Sequence, residues 1–189
     1  MKIHARSLLL VQCCCLLGGG ILLAKPIYRW GRRELSQQRA TALWKQTQAS
    51  PALRRGSGAP ALWLRIPGCA IDDLVVYEDT KENLDRHPSV AWERPTVILG
   101  HRDTHFRKLQ QIRVHDNFEV ELPDGGLKRY RVAEIEIIPA EMMPNRIEEH
   151  RNRESLLLIT CHPFSYIGPA PNRFIVWAQP VPADVRKDS

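Results

Sequence analysis

Cys161 closes the apolar run of LLLITCHPF, residues 156–164, just before a proline-containing loop. A strand that ends there is a rigid platform able to present one side chain at a rim. A thiol attacks a carbonyl as the thiolate, and an ordinary cysteine has a pKa of about 8.5, so it needs a basic or cationic neighbour. Two other apolar runs supply residues of that type. VILGHRDTHF, residues 97–106, brings His101 to the end of a strand-like run, and PNRFIVWA, residues 171–178, sets Arg173 at the start of another. Imidazole exchanges protons near neutral pH. Guanidinium stays charged and binds negative charge developing on a carbonyl oxygen. Nucleophile, acid/base and oxyanion stabiliser together form an acyl-transfer set. Singly, each is more ordinary: a cysteine in a core, a structural histidine, a surface arginine. Their combination carries the reading.

The elements that must position these residues are strands. Short runs rich in Val, Ile, Leu, Tyr and Trp cover Ala61–Ile66, Leu74–Tyr77, Thr96–Gly100, Asn117–Leu122, Lys128–Ile138, Leu156–Cys161 and Arg173–Ala178. Turn signals separate them, and PDGG at residues 123–126 predicts a hairpin. Lys128–Ile138 alternates apolar and polar residues but slips at Ala133–Glu134, which predicts a bulge. No helix of four turns is expected after Pro60. The pattern predicts an all-β fold, a closed or nearly closed barrel with short helices.

Ahead of that domain, residues 7–24 hold eighteen positions without a charge, and Lys2 and Arg6 precede them. At about 1.5 Å per residue this run just reaches across a bilayer core of about 30 Å. The run lacks a small-x-small cleavage site, so an uncleaved signal anchor over residues 1–27 is expected in preference to a cleaved signal peptide. Residues 28–58 read as a basic juxtamembrane helix, or stalk, and a linker rich in Pro and Gly. The remaining residues, 59–189, form the expected catalytic domain. Net charge is +6, yet residues 56–189 carry seventeen Lys and Arg against twenty Asp and Glu, a net of −3. The basic excess sits in residues 25–55, which suits a membrane surface and argues against a nucleic-acid partner. Five cysteines are present, three within the apolar run; Cys69 reads as a small buried hydrophobe in a strand, although a disulfide with Cys161 is also open. No Cys/His cluster at zinc spacing exists in the sequence.

At these residues the chain resembles the sortases. The resemblance covers about 110 residues, from Ile66 to Ala178, through RIPGCAIDDLVVY, GHRDTHF, HDNFEVEL, KRYRVAEIEIIP, LITCHPF and PNRFIVWA in family order. The ITCHPF form and the simple architecture look most like the class GN sortases of Gram-negative bacteria. The resemblance implies a membrane-anchored cysteine transpeptidase, with Cys161 as nucleophile, His101 as acid/base and Arg173 as oxyanion stabiliser. It implies a partner too, a secreted protein with an LPxTG-like C-terminal sorting signal, passed through a Cys thioester to an amine acceptor that the sequence does not name. No cofactor or metal is implied, since no acidic cluster like the calcium site of some sortases occurs. Asp103 is open to two roles, orienting the His101 ring or capping its turn.

The family's Thr-Leu-x-Thr-Cys strand reads Leu157-Leu158-Ile159-Thr160-Cys161, a departure at a position assigned to packing. An L,D-transpeptidase would place Gly before the cysteine and Arg two residues after it, where this chain has Thr160 and Pro163. A catalytically silent barrel used for binding or scaffolding is the other alternative. Charge bias across the apolar run favours a cytoplasmic C-terminal side, because Lys25, Arg29, Arg32 and Arg33 follow it. The implied function requires the opposite, a single-pass protein of the inner membrane with its domain facing the periplasm or exterior. That second orientation is the expectation.

Overall fold

The structure is a computed structural model that describes residues 38–50, 56, 58–93, 95–150 and 154–182. Eight strands appear in it: β1 Pro60–Ile66, β2 Ile71–Tyr77, β3 Ser89–Glu93, β4 Thr96–Leu99, β5 Asn117–Glu121, β6 Leu127–Pro139, β7 Leu156–His162 and β8 Asn172–Pro180. They close into a barrel in the order β1-β2-β3-β4-β7-β8-β6-β5. Helical residues 38–49 (α1) precede the strands, and Lys81–Arg86 (α2) and Met143–Glu148 (α3) interrupt them. The expected N-terminal anchor lies outside the described residues. Among the described residues no helix is long and apolar enough to cross a membrane.

Seven strands match the sequence expectation within a few residues. β3, with the sequence SVAWE, was not anticipated, because five residues enclosed by Pro88 and Pro95 make a weak pattern. β2 begins three residues earlier than expected, since Asp72 and Asp73 interrupt the apolar run. The PDGG segment does form the β5–β6 hairpin. Gly125 takes a left-handed φ of 86°, Leu122 N–H donates to Gly126 O at 2.7 Å, and Asp124 Oδ1 accepts from Gly126 N–H at 2.9 Å. Pairing of β6 with β8 shifts register between Val132 and Glu134, where the alternation slips.

Period-two alternation sends each strand's side chains to two sides. The barrel interior holds Leu64, Ile66, Val75, Ile98, Phe106, Phe118, Val120, Val132, Leu158 and Val176, all at most 1% exposed. A second apolar cluster comprises Val97, Leu157, Ile159, Ile175 and Trp177, with Ile147 of α3 packed on it. Arg146 fastens α3 there. It donates from Nε to Glu136 Oε2 at 3.0 Å, makes a second bond to the same carboxylate, and stands 5.6 Å from the centre of the Trp177 ring. That guanidinium holds the Glu136 carboxyl below its ordinary range, against the opposing effect of burial. A third cluster joins Ala40 and Trp44 of α1 to Trp63, Leu74 and Val76 of β1 and β2. Trp44 and Trp63 meet at 5.9 Å between ring centres, and Gln48 Nε2 donates to Glu121 at 2.7 Å. The described part of the segment expected as a stalk, residues 38–49, thus packs Ala40 and Trp44 on the barrel wall.

Cys69 is fully buried, though in a 3₁₀ turn, Pro67–Cys69, and not in a strand. Both Cys69 and Cys161 are free thiols, so no disulfide joins them.

Beside α2, His87 lies 6.4 Å from the His105 ring, and His105 Nδ1 lies 3.6 Å from the buried carboxylate of Asp73. Burial holds the His87 imidazole below its ordinary value; His105 and Arg86 push the same way and Asp73 opposes them. Its folded pKa is therefore below the unfolded one, so the unfolded chain binds the proton more readily. The associated stability is present above a pH of about 6.5 and is lost as pH falls through the depressed folded value. Thermal melts between pH of about 7.5 and 5 should show a falling midpoint, and His87→Asn should flatten that slope. An unchanged slope in the variant would assign the acid sensitivity to other groups.

Candidate active site

Three neighbouring strands build the site, with β7 between β4 and β8. Cys161 is the Cα partner of Arg173 across the antiparallel β7–β8 ladder. On the other side β4 runs parallel to β7, with Leu99 opposite Ile159. The ladder continues one residue further. Gly100 N–H donates to Ile159 O at 3.2 Å, and Thr160 Oγ1 donates back to Gly100 O at 2.6 Å. His101, the next residue, is therefore brought to the level of Cys161. The three residues share a side as well. Cys161 follows Leu157 and Ile159 by period two, Arg173 precedes Ile175, and His101 follows Leu99, and these apolar neighbours all belong to the cluster under α3. All three site residues expected from the sequence are brought to one end of one apolar face.

Local packing explains why His101 stays there. A Cβ on Gly100 would come within 2.7 Å of Phe106 Cδ2, and Phe106 is fully buried. The chain then wraps back on itself, because His101 O accepts from Thr104 N–H at 3.4 Å and Phe106 N–H at 3.0 Å. Arg102 reaches across to the β7–β8 loop, where its Nη2 donates to Tyr166 O at 2.6 Å and Gly168 O at 2.9 Å. Arg173 Nη1 donates to Ala170 O at 3.1 Å and Asn172 O at 3.0 Å, which sets the orientation of its fork. Behind the end of β7, the His162 ring stacks on Phe174 and meets Phe164 edge-on, and the two phenyl rings lie 5.2 Å apart.

The His101 ring has a carboxylate partner, but it is Asp85 of α2 at 3.2 Å from Nε2, not Asp103. Asp103 is exposed in the turn after His101. Sequence spacing could not have found Asp85, which comes sixteen residues earlier on a different element. Thr160 was read only as part of a family motif, and its bond to Gly100 O needs the β4–β7 pairing to be known. Leu157, where the family has Thr, is fully buried, in agreement with its assignment to packing.

The two thiols differ in kind. Burial pushes the Cys69 thiol up to about 11, with the nearby Asp116 carboxylate adding to the effect, so it resists ionisation. Cys161 is half-buried at a strand end, paired across the ladder with Arg173. Among the described residues no group of His, Cys, Asp and Glu is arranged to hold a metal ion. A closed barrel with thiol, imidazole and guanidinium on adjacent strand ends has the parts required for acyl transfer through a thioester.

The comparisons with known proteins bear on the family and the fold. Residues 64–181 match the sortase domain, and the chain belongs to that family. Sortase D from Bacillus subtilis (strain 168) is 34% identical over 85 residues, or 45% of this chain and 42% of that protein. The match thus spans less than half of that curated relative. Among solved structures, a Clostridium perfringens Sortase D5 transpeptidase superposes with a TM-score of 0.61 at 14% identity, covering 80% of this chain and 99% of the other. Sortase A from Corynebacterium diphtheriae gives 0.61 at 17% identity over 97% of this chain and 98% of the other. The catalytic domain of B. anthracis SrtD gives 0.54 at 27% identity, over 67% and 90% respectively.

Gly100 is where packing meets the site most tightly. Gly100→Ala should cost about 1–3 kcal/mol of stability by overpacking against Phe106. It should also reduce any Cys161-dependent activity by moving His101. Thermal melts and turnover of the same variant check both effects, and a full-activity, full-stability alanine variant would contradict the packing argument.

Proposed function

We propose that this chain is a cysteine transpeptidase that cleaves an LPxTG-like C-terminal sorting signal and passes the acyl protein to an amine. The observation that supports the reading is the register of β4, β7 and β8, which pairs Cys161 with Arg173 and ends β4, just before His101, on the neighbouring strand. Membership in the sortase family supports the reaction class.

In the proposed reaction the Cys161 thiolate attacks the scissile carbonyl of the sorting peptide. Arg173 donates to the oxyanion of the tetrahedral intermediate. Collapse breaks the C–N bond, and the His101 imidazolium gives its proton to the departing amine, which leaves a thioester on Cys161. The acceptor amine then attacks that thioester, His101 takes up the amine proton, and the thiolate is released. Leu99, Ile138 and Met143 are partly buried in the apolar cluster that adjoins these residues, a surface suited to the apolar part of a peptide. The finer assignment to class GN rests on the ITCHPF form of the nucleophile motif, whereas the similar proteins named above are of the D and A types.

Cys161→Ala should abolish cleavage of a fluorogenic sorting peptide, while Cys69→Ala retains most of it. Arg173→Lys should lose most turnover despite keeping the charge, because a lysine lacks the planar donor fork. Comparable loss from both cysteine variants would remove Cys161 as the assigned nucleophile. No cleavage by the parent chain would favour the silent binding domain.

Residues 1–27 are proposed as the membrane anchor, with the barrel facing the periplasm or exterior, since sorting signals are met after export. An alkaline phosphatase fusion at Ser189 should be active and a green fluorescent fusion at the same site dark. The reverse result would place the barrel in the cytoplasm, as Lys25, Arg29, Arg32 and Arg33 alone would have it.

A further inference from the structure

The contact between His101 and α2 extends the site beyond three residues. Asp85 Oδ1 lies 3.2 Å from His101 Nε2, with both side chains partly open to solvent. The short helix that carries Asp85 is firmly held. Thr80 Oγ1 accepts from Asn83 N–H at 3.3 Å at its start, and His87 N–H donates to Asn83 O at 2.7 Å at its end. Asn83 Nδ2 also donates to Tyr77 O at 3.2 Å and Glu78 O at 3.0 Å, which ties the helix to the end of β2. β2 pairs with β3, and β3 with β4, so the sheet itself sets the distance from α2 to the His101 loop.

We infer that Asp85 is a positioning residue for His101. A carboxylate beside Nε2 accepts a hydrogen bond from the Nε2–H and leaves Nδ1 as the ring nitrogen available to a second partner. A histidine held in one orientation can face an adjacent thiol and donate to a leaving amine. Asp85 touches neither peptide nor thiol in this scheme; it acts through His101. The inference rests on the reading of Cys161 and His101 as a working pair.

Because the pair is exposed, its effect is modest, on the order of fivefold. The test is peptide-resolved alkylation of Cys161 in the full chain by iodoacetamide at neutral pH, which needs no knowledge of the sorting signal. Asp85→Ala should slow Cys161 alkylation about fivefold, and Asp85→Asn, which keeps the acceptor oxygen but not the charge, should fall between. In a His101→Ala background the Asp85→Ala substitution should have no further effect, a result that a general loss of structure would not give. With a cleavable sorting peptide, kcat should fall by the same factor and KM stay within about twofold. An unchanged alkylation rate in Asp85→Ala, or equal slowing with and without His101, overturns the inference. Coupled alkylation together with no peptide cleavage by the parent chain would uphold the Asp85–His101 pairing and remove the transpeptidase reading alone.

Discussion

The hydrogen bond from Thr160 to the Gly100 carbonyl is the constraint on which the site depends. It is short, buried, and joins residues sixty apart in sequence. It continues the β4–β7 ladder past the last residue of β4 and so sets the level at which His101 emerges. Losing the hydroxyl would leave a buried carbonyl with one partner fewer, a cost of about 1–3 kcal/mol. The positional consequence matters more. A slip of one residue in β7 would turn Cys161 toward the side now taken by Thr160, in the barrel interior, and would break its pairing with Arg173. Thiol, imidazole and guanidinium are thus aligned by one register rather than by three separate local structures.

Loops complete what the register begins. A parallel pair and an antiparallel pair meet at β7, so the chain leaves β4 and β7 in the same direction and returns along β8. Two loops therefore stand together over the strand ends. Arg102 bonds two carbonyls of the β7–β8 loop from the residue after His101, which makes the histidine loop and the cysteine loop one braced unit. Phe106 fills the space under Gly100, and the Phe164, Phe174 and His162 rings fill the space behind Cys161. Such packing suits a site whose hydrogen bonds tolerate little misplacement.

Much of this was legible in the sequence because barrel strands alternate and the three candidate residues sit at their ends. Lys128–Ile138 showed even its bulge, since a single out-of-phase residue breaks a period of two. The strand end before Cys161 and the strand start at Arg173 could be read from apolar runs alone. What could not be read depends on contacts between elements distant in sequence. Asp85 was hidden on a six-residue helix, and attention fell on Asp103 because it was near in sequence. β3 was hidden because a central strand of five residues beside two prolines has neither length nor alternation. The docking of α1 was hidden because Leu43 and Trp44 make too narrow a stripe to signal burial, yet with Ala40 they pack against Trp63, Leu74 and Val76 of β1 and β2.

Two outer faces of the barrel are apolar, and they are treated differently. The face of β1 and β2 is closed by α1, where Trp44 is 5% exposed and Leu74 is 1% exposed. The face of β4, β7 and β8 is closed only in part by α3, which buries Ile147 and leaves Leu99, Ile138 and Met143 partly open. Arg146 holds α3 in that position through Glu136 and Trp177, so the incomplete cover is a built arrangement. The apolar surface left open ends near the Cys161 thiol and the Arg173 guanidinium. The same division accounts for the two cysteines. Cys69 is buried within the interior and its thiol resists ionisation, while Cys161 is half-buried at a strand end paired with Arg173.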